Sequence, residues 1–152
     1  MAPILIVDDD ATIREMFARA LASIGEVEQA ADGGEALRLL ATKKYGALLL
    51  DLHMPMIDGF MVLHALSAKP GPNRDTPVLV VTADLSESAR ARALGRHAVF
   101  LLTKPVSIGT MKALVQNALA RTGVRDGGSV APEHQRGPSP SSRPPPPKKP
   151  LR

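Results

Sequence analysis

Pro3-Ile-Leu-Ile-Val-Asp-Asp-Asp10 is a short apolar run that stops at three acids. The run does not alternate and contains β-branched residues, which predicts a strand buried on both faces, as in parallel sheets. Ile13, Met16, Phe17, Ala20, Leu21 and Ile24 then recur at helical spacing, and Gly25 is placed to close that helix as a C′ residue. Val27 to Ala30 reads as a weaker strand, and Ala36, Leu37, Leu39 and Leu40 mark a second helix ending near Lys43-Lys44. The cycle repeats with a strand at Gly46-Ala-Leu-Leu-Leu-Asp51, again ending in an acid, and a helix face at Phe60, Leu63 and Leu66. Pro70 to Thr76 is loop by composition, and Pro77-Val-Leu-Val-Val-Thr82 is the clearest strand in the chain. A helix over Ser86–Leu94, a strand over Val99–Leu102 and a last helix carrying Ile108, Met111, Val115, Ala118 and Leu119 complete the series. Five strands alternating with five helices predict an open parallel α/β sheet covered by helices on both faces.

The chain has 152 residues, enough for one ordinary domain with an appendage. From Gly123 onward there are six basic and two acidic residues, which leaves thirteen of each in residues 1–122. The net charge of +4 therefore sits wholly in the tail, and no basic nucleic-acid-binding face is expected on the fold itself. Eight of the fourteen prolines also lie beyond Gly123. We expect a domain over residues 1–122 and a disordered, basic, Pro/Ser-rich tail over 123–152, with Pro144–Pro147 favouring polyproline II. The absence of Cys excludes a disulfide framework, a thiolate metal site and a Cys nucleophile. No apolar run approaches the roughly 18–20 residues of a membrane span, and the N-terminus lacks the basic start and cleavage site of a signal peptide. With no Trp and one Tyr, stacking on single-stranded nucleic acid has little to work with. A soluble, cytoplasmic domain is the expectation.

Ligands of open parallel sheets bind outside the carboxyl ends of the strands. Asp8 and Asp9 end the first strand, Asp51 the third and Thr82 the fourth, while Lys104 follows the fifth. Three carboxylates on one edge repel each other unless a cation sits among them. Hard oxygen donors without His or Cys side chains beside them suit Mg²⁺, which binds through one or two carboxylates and keeps several waters. A carboxylate nucleophile, a metal, the Lys104 ammonium and the Thr82 hydroxyl suit phosphoryl transfer onto Asp. Each piece alone has a plainer reading. Asp8-Asp9-Asp10 can be a helix N-cap with its neighbours, Lys104 a solvated surface lysine, and Thr82 an ordinary strand end. Their joint occurrence at successive strand ends carries the weight.

Ile4-Leu-Ile-Val-Asp-Asp-Asp10, Leu50-Asp51-Leu-His-Met-Pro-Met-Ile-Asp-Gly59, Val80-Val-Thr82-Ala83 and Thr103-Lys104-Pro105 resemble the signatures of response-regulator receiver domains over about residues 3–120. The resemblance implies the five-stranded flavodoxin-like sheet of order 2-1-3-4-5. It implies that Asp51 is the phosphoacceptor, taking a phosphoryl group from a histidine kinase or phosphotransfer protein. It further implies that Asp9, Asp51 and the backbone carbonyl of His53 bind Mg²⁺ directly and Asp8 through water. Thr82 would turn toward the phosphoryl group, and Lys104 would pair with it beside a cis Lys104-Pro105 bond. Met54-Pro55 and Asp58-Gly59 read as turn chemistry alone. The expected role is a stand-alone, phosphorylation-controlled signalling module, a phosphoacceptor rather than an enzyme. It would be a monomer or weak dimer that passes its signal to an unnamed protein, with no direct contact to DNA or membrane.

One position departs from the family. Receivers usually carry Tyr or Phe three residues before the lysine, and here that residue is Leu101, with Phe100 one position earlier. Side chains alternate along a strand, so Phe100 should point away from the face that Leu101 occupies. The stretch from Gly95 to Lys104 is also longer than is usual. His53 and Asp84 read either as groups tuning water access to an acyl phosphate or as plain exposed side chains. Arg90, Arg92, Arg96 and His97 make the fourth helix and its exit basic, which suits a solvated face or an acidic partner. Two other readings compete with this one. A Mg²⁺-dependent phosphohydrolase with an Asp-x-Asp motif would want its nucleophile at the first strand end and a cap insert. A phosphorylation-independent adaptor would not need Asp51, Thr82 and Lys104 together.

Overall fold

The computed structural model describes residues 2–83, 86–95 and 100–126. In chain order these form β1 (Ile4–Val7), α1 (Ala11–Leu21), β2 (Val27–Ala30), α2 (Gly33–Thr42), β3 (Ala47–Leu50), α3 (Gly59–Ala68), β4 (Val78–Thr82), α4 (Glu87–Leu94), β5 (Phe100–Thr103) and α5 (Ile108–Asp126). The five strands form one parallel sheet in the order β2-β1-β3-β4-β5. Both the α/β class and the expected order 2-1-3-4-5 hold.

Alternation along the strands builds two separate cores. Leu5, Val7, Leu48, Leu50, Val78 and Val80 face one way, onto Leu40 of α2, Leu63 and Leu66 of α3, and Ala89 and Ala93 of α4. Ile4, Ile6, Ala47, Leu49, Leu79 and Val81 face the other, onto Phe17 and Leu21 of α1 and Met111, Val115 and Ala118 of α5. The unbroken apolar runs are explained by this: every residue of β1, β3 and β4 has a helix layer to bury against. Each fully buried Leu or Ile contributes roughly 1.5–3 kcal/mol relative to exposure, so the central runs of β1 and β3 anchor the sheet. Side-chain caps start the helices: Asp10 for α1, Asp32 for α2, Asp58 for α3 and Ser86 for α4.

Several strand and helix ends fall one residue inside the sequence reading, and the larger differences lie elsewhere. α1 stops at Leu21 rather than at Gly25; the amides of Ile24 and Gly25 both turn back to the Leu21 carbonyl. Ile24 thus reaches the core from a turn, although its spacing is helical. β5 ends one residue later than expected, at Thr103, and the expected first residue, Val99, lies outside the described residues. α5 runs to Asp126, so residues 123–126 are helical rather than part of a tail. The rest of the expected tail, 127–152, lies outside the described residues, as do Asp84, Arg96 and His97. Among the described residues no helix is long and apolar enough to cross a membrane.

Candidate phosphoacceptor site

Strand register brings the acids together. Val7 and Leu50 are register partners, so the residues that follow them, Asp8 and Asp51, leave the sheet side by side. The Asp51 amide donates to the Val7 carbonyl at 3.0 Å and the Asp8 amide to the Ala30 carbonyl at 3.3 Å. Carboxylate oxygens of Asp8, Asp9 and Asp51 all lie within 4.8 Å of one another. Asp8 and Asp51 are buried, whereas Asp9 is exposed. Asp10 turns away and caps α1, accepting the amides of Thr12 at 2.9 Å and Ile13 at 3.3 Å. The N-cap reading is therefore right for the third acid and not for the first two.

Lys104 comes from the opposite side of this edge. Thr82 and Thr103 are register partners, and the Lys104 amide donates to the Thr82 carbonyl at 2.8 Å. The Lys104–Pro105 peptide is cis. The ammonium donates to Asp8 Oδ2 at 2.8 Å and to Asp51 Oδ2 at 3.2 Å, bridging the two buried acids. Thr82, buried at the end of β4, stands on the same edge. His53 is exposed, and its amide donates to Asp51 Oδ1 at 3.3 Å.

Burial raises the Asp51 carboxyl above the usual range, the Lys104 ammonium opposes this, repulsion from Asp8 adds to it, and the His53 amide opposes it again. Burial works against the Lys104 charge, but its hydrogen bond to Asp8 and the attraction of both acids outweigh this and hold it above its ordinary value. Three carboxylates thus cluster where one ammonium pairs with two of them. The excess negative charge, the all-oxygen donor set and the open side at Asp9 fit a hard divalent cation.

The loop after Asp51 is gripped from two sides. A Cβ on Gly59 would lie 2.3 Å from the Asp51 carbonyl oxygen, and one on Gly33 would lie 2.3 Å from the Ile57 carbonyl oxygen. Close backbone approach, beyond turn chemistry, is what requires glycine at both places. Between them Met56 takes φ 69 and is 95% exposed. Asp58 adds an N-cap, accepting the Met61 amide at 2.9 Å.

The structure separates Leu101 from Phe100 as alternation requires. Leu101 packs with the α2–α4 core and Phe100 with the α1/α5 core, so the ring is on the wrong face to stand in for the usual aromatic. The Arg92 guanidinium lies 3.8 Å from the Phe60 ring centroid, tying α4 to α3, so this member of the basic helix is not simply solvated. Sequence reasoning passed over Arg14, whose Nη1 donates to the Asp8 carbonyl at 2.7 Å. It sits among the apolar positions of α1, and spacing alone says nothing of where its side chain reaches.

Comparison with known proteins agrees with this geometry. Residues 4–116 match the family described as response regulator receiver domain. Response regulator MprA of Mycobacterium tuberculosis is 40% identical over 124 residues, covering 81% of this chain and 53% of its own length. The chain thus spans about half the length of the curated relatives it matches. The receiver domain of a Francisella response regulator superposes with TM-score 0.73 at 31% identity, covering 80% of this chain and 99% of that one. The receiver domain of a sensor histidine kinase from Pseudomonas aeruginosa gives TM-score 0.70 at 26% identity, covering 78% of this chain and 98% of that one. Its structure holds a magnesium ion coordinated in the active-site cleft. The chain belongs to the response-regulator receiver family, the phosphorylation-controlled signalling domains of two-component systems.

Proposed function

We propose that Asp51 is the phosphoacceptor of this domain and takes its phosphoryl group from a histidine kinase or phosphotransfer protein. The observation that carries the reading is Lys104, whose ammonium bridges Asp8 and Asp51 on the edge where the third acid is exposed. A carboxylate oxygen of Asp51 attacks phosphorus, the phosphorus–nitrogen bond of the donor breaks, and the imidazole keeps the bond's electrons and a proton. Mg²⁺ would be held by Asp9, Asp51 and the His53 carbonyl, with Asp8 acting through water, and would neutralise phosphoryl charge. Lys104 supplies a fixed positive charge on the other side, and Thr82 a hydroxyl donor at the end of β4. The Pseudomonas relative with magnesium in its cleft supports this assignment. The domain acts as a phosphoacceptor that takes part in its own transfer and dephosphorylation, and its downstream target is another protein. A kinase fed by intracellular ATP would meet it in the cytoplasm.

Incubation with acetyl phosphate and Mg²⁺ tests this. The wild-type protein should acquire one hydroxylamine-labile phosphoryl group, and neither Asp51→Asn nor wild-type protein in chelator should acquire any. Labelling of Asp51→Asn at the wild-type level would overturn the assignment.

A further inference from the structure

All three oxygens of Asp8 are engaged. Its Oδ1 accepts the Asp10 amide at 2.9 Å, its Oδ2 accepts Lys104, and its backbone carbonyl accepts Arg14 Nη1 at 2.7 Å. The first two contacts belong to the acidic turn and the site itself. The third reaches in from the first turns of α1, and the same guanidinium donates through Nε to Gln29 Oε1 on β2 at 3.0 Å. One partly buried side chain therefore ties α1, the end of β1 and the edge strand together. The carbonyl it holds belongs to the peptide plane that leads directly into Asp9, the exposed member of the acid cluster. Because a peptide unit is planar, fixing that oxygen fixes the orientation of the Asp9 amide and limits where its carboxylate can point.

We propose that Arg14 is a positioning residue for the acidic edge: through the Asp8 carbonyl it sets the Asp8–Asp9 peptide so that the carboxylates are arranged for a divalent cation before one arrives. The inference rests on the proposed phosphoacceptor reading. Two effects of Arg14 oppose each other. Its positive charge disfavours a nearby cation, and its fork preorganises the ligands. The charge is screened at a partly exposed site, whereas the fork geometry cannot be reproduced by a single ammonium. Preorganisation therefore dominates.

The experiment is a Mg²⁺ titration followed by backbone amide chemical shifts in the wild type, Arg14→Met, Arg14→Lys and Gln29→Ala. Phosphorylation by acetyl phosphate is measured on the same proteins at saturating Mg²⁺. Arg14→Met and Arg14→Lys should both weaken Mg²⁺ by about tenfold, the scale of groups that orient metal ligands. Gln29→Ala should weaken it less, in the same direction. The phosphorylation rate at saturating Mg²⁺ should stay near wild type in all three. If Arg14→Lys binds Mg²⁺ as the wild type does, the fork positions nothing and the proposal is wrong, whatever Arg14→Met does; tighter binding by Arg14→Met would show that the charge outweighs positioning and would overturn it too. A rate loss at saturating Mg²⁺ as large as the affinity loss would mark general damage to the fold, and would also overturn it. Wild-type protein that neither binds Mg²⁺ nor becomes phosphorylated would instead defeat the phosphoacceptor reading, and this inference with it.

Discussion

At the amino ends of the strands, Asn73 Nδ2 donates to the carbonyls of Leu40 at 2.7 Å and Lys43 at 2.6 Å, and its Oδ1 accepts the Tyr45 amide at 2.8 Å. Thr76 Oγ1 lies 2.9 Å from that same oxygen. At the carboxyl ends, Asp8 and Asp51 share the ammonium of Lys104, with the Asp9 carboxylate beside them. Both clusters are buried polar groups in a small α/β domain, yet they are built on opposite terms. The Asn73 side chain is neutral and saturated, each of its polar atoms meeting partners within the chain, and the Lys44 ammonium closes the cluster by donating to Thr76 Oγ1 at 3.2 Å. The Asp51 cluster is charged and out of balance, with its surplus facing the one exposed acid. A polar group that serves the fold is closed to newcomers; one that serves chemistry keeps a vacancy of charge that the fold itself does not fill.

The sharpest way to break this comparison is Asn73→Ala. It strips partners from two carbonyls and an amide at a buried place, each costing about 1–3 kcal/mol. We expect a loss of about 3–5 kcal/mol in chemical denaturation and an unchanged phosphorylation rate at saturating Mg²⁺ in the protein that remains folded. A loss below 1 kcal/mol would mean that water replaces the side chain.

Next in size is the response of the other end to metal. At one hundred times its dissociation constant, Mg²⁺ should stabilise the wild-type protein by about 2.7 kcal/mol, and Asp51→Asn should lose most of that gain. In the metal-free protein the same substitution should act the other way. A carboxyl whose folded value is raised is at its most favourable below the unfolded carboxylate range, and the fold loses that stability as pH rises through the folded value. At neutral pH Asp51→Asn should therefore stabilise the metal-free protein. Thermal melts with and without Mg²⁺ read both signs, and a metal-free Asp51→Asn less stable than wild type would contradict the imbalance.

The smallest effect lies beside Asn73. Glu28 pairs with Lys43 and accepts the Tyr45 hydroxyl at 2.8 Å. The Lys43 hydrogen bond chiefly lowers the Glu28 carboxyl, so its contribution is present above the unfolded carboxylate range and lost as pH falls through the folded value. Burial, then Glu28, raises the Tyr45 phenol. The fold keeps Tyr45 protonated where the unfolded chain would ionise, so stability falls as pH rises past about 10. Glu28→Gln should flatten the acid limb of stability against pH, and Tyr45→Phe the alkaline limb. Unchanged limbs would show that this pair is carried by packing alone.

The two ends also differed in how legible they were. The acidic edge could be read because strand ends are visible as apolar runs, and Asp8, Asp9, Asp51, Thr82 and Lys104 each fall at one. The strand order came from the family resemblance, not from the spacing. The Asn73 cluster was invisible: Pro70–Thr76 has the composition of any loop, and nothing local marks an Asn that reaches α2. Gly59 looked like a turn residue, and Gly33 drew no notice, because a sequence does not show the backbone pressed against them. Arg92 was read as part of a basic face because the Phe60 ring beneath it lies more than thirty residues earlier. The end of α1 was misplaced because Ile24 keeps helical spacing while leaving the helix.

The course of α5 has a practical consequence. It starts four residues after Lys104, at the acidic edge, and by Leu119 it has crossed to the other end of the sheet, where a Cβ on Gly46 would lie 2.8 Å from the Leu119 side chain. A helix of 19 residues is about 28 Å long. A fluorophore or affinity handle joined after Asp126 would thus depart from the side remote from Asp51, leaving the approach of a phosphodonor unobstructed. A label at the exposed Met56, in the loop that follows Asp51, would stand in that approach. For building a biosensor from this domain, the C-terminal side of α5 is the place to attach the reporter.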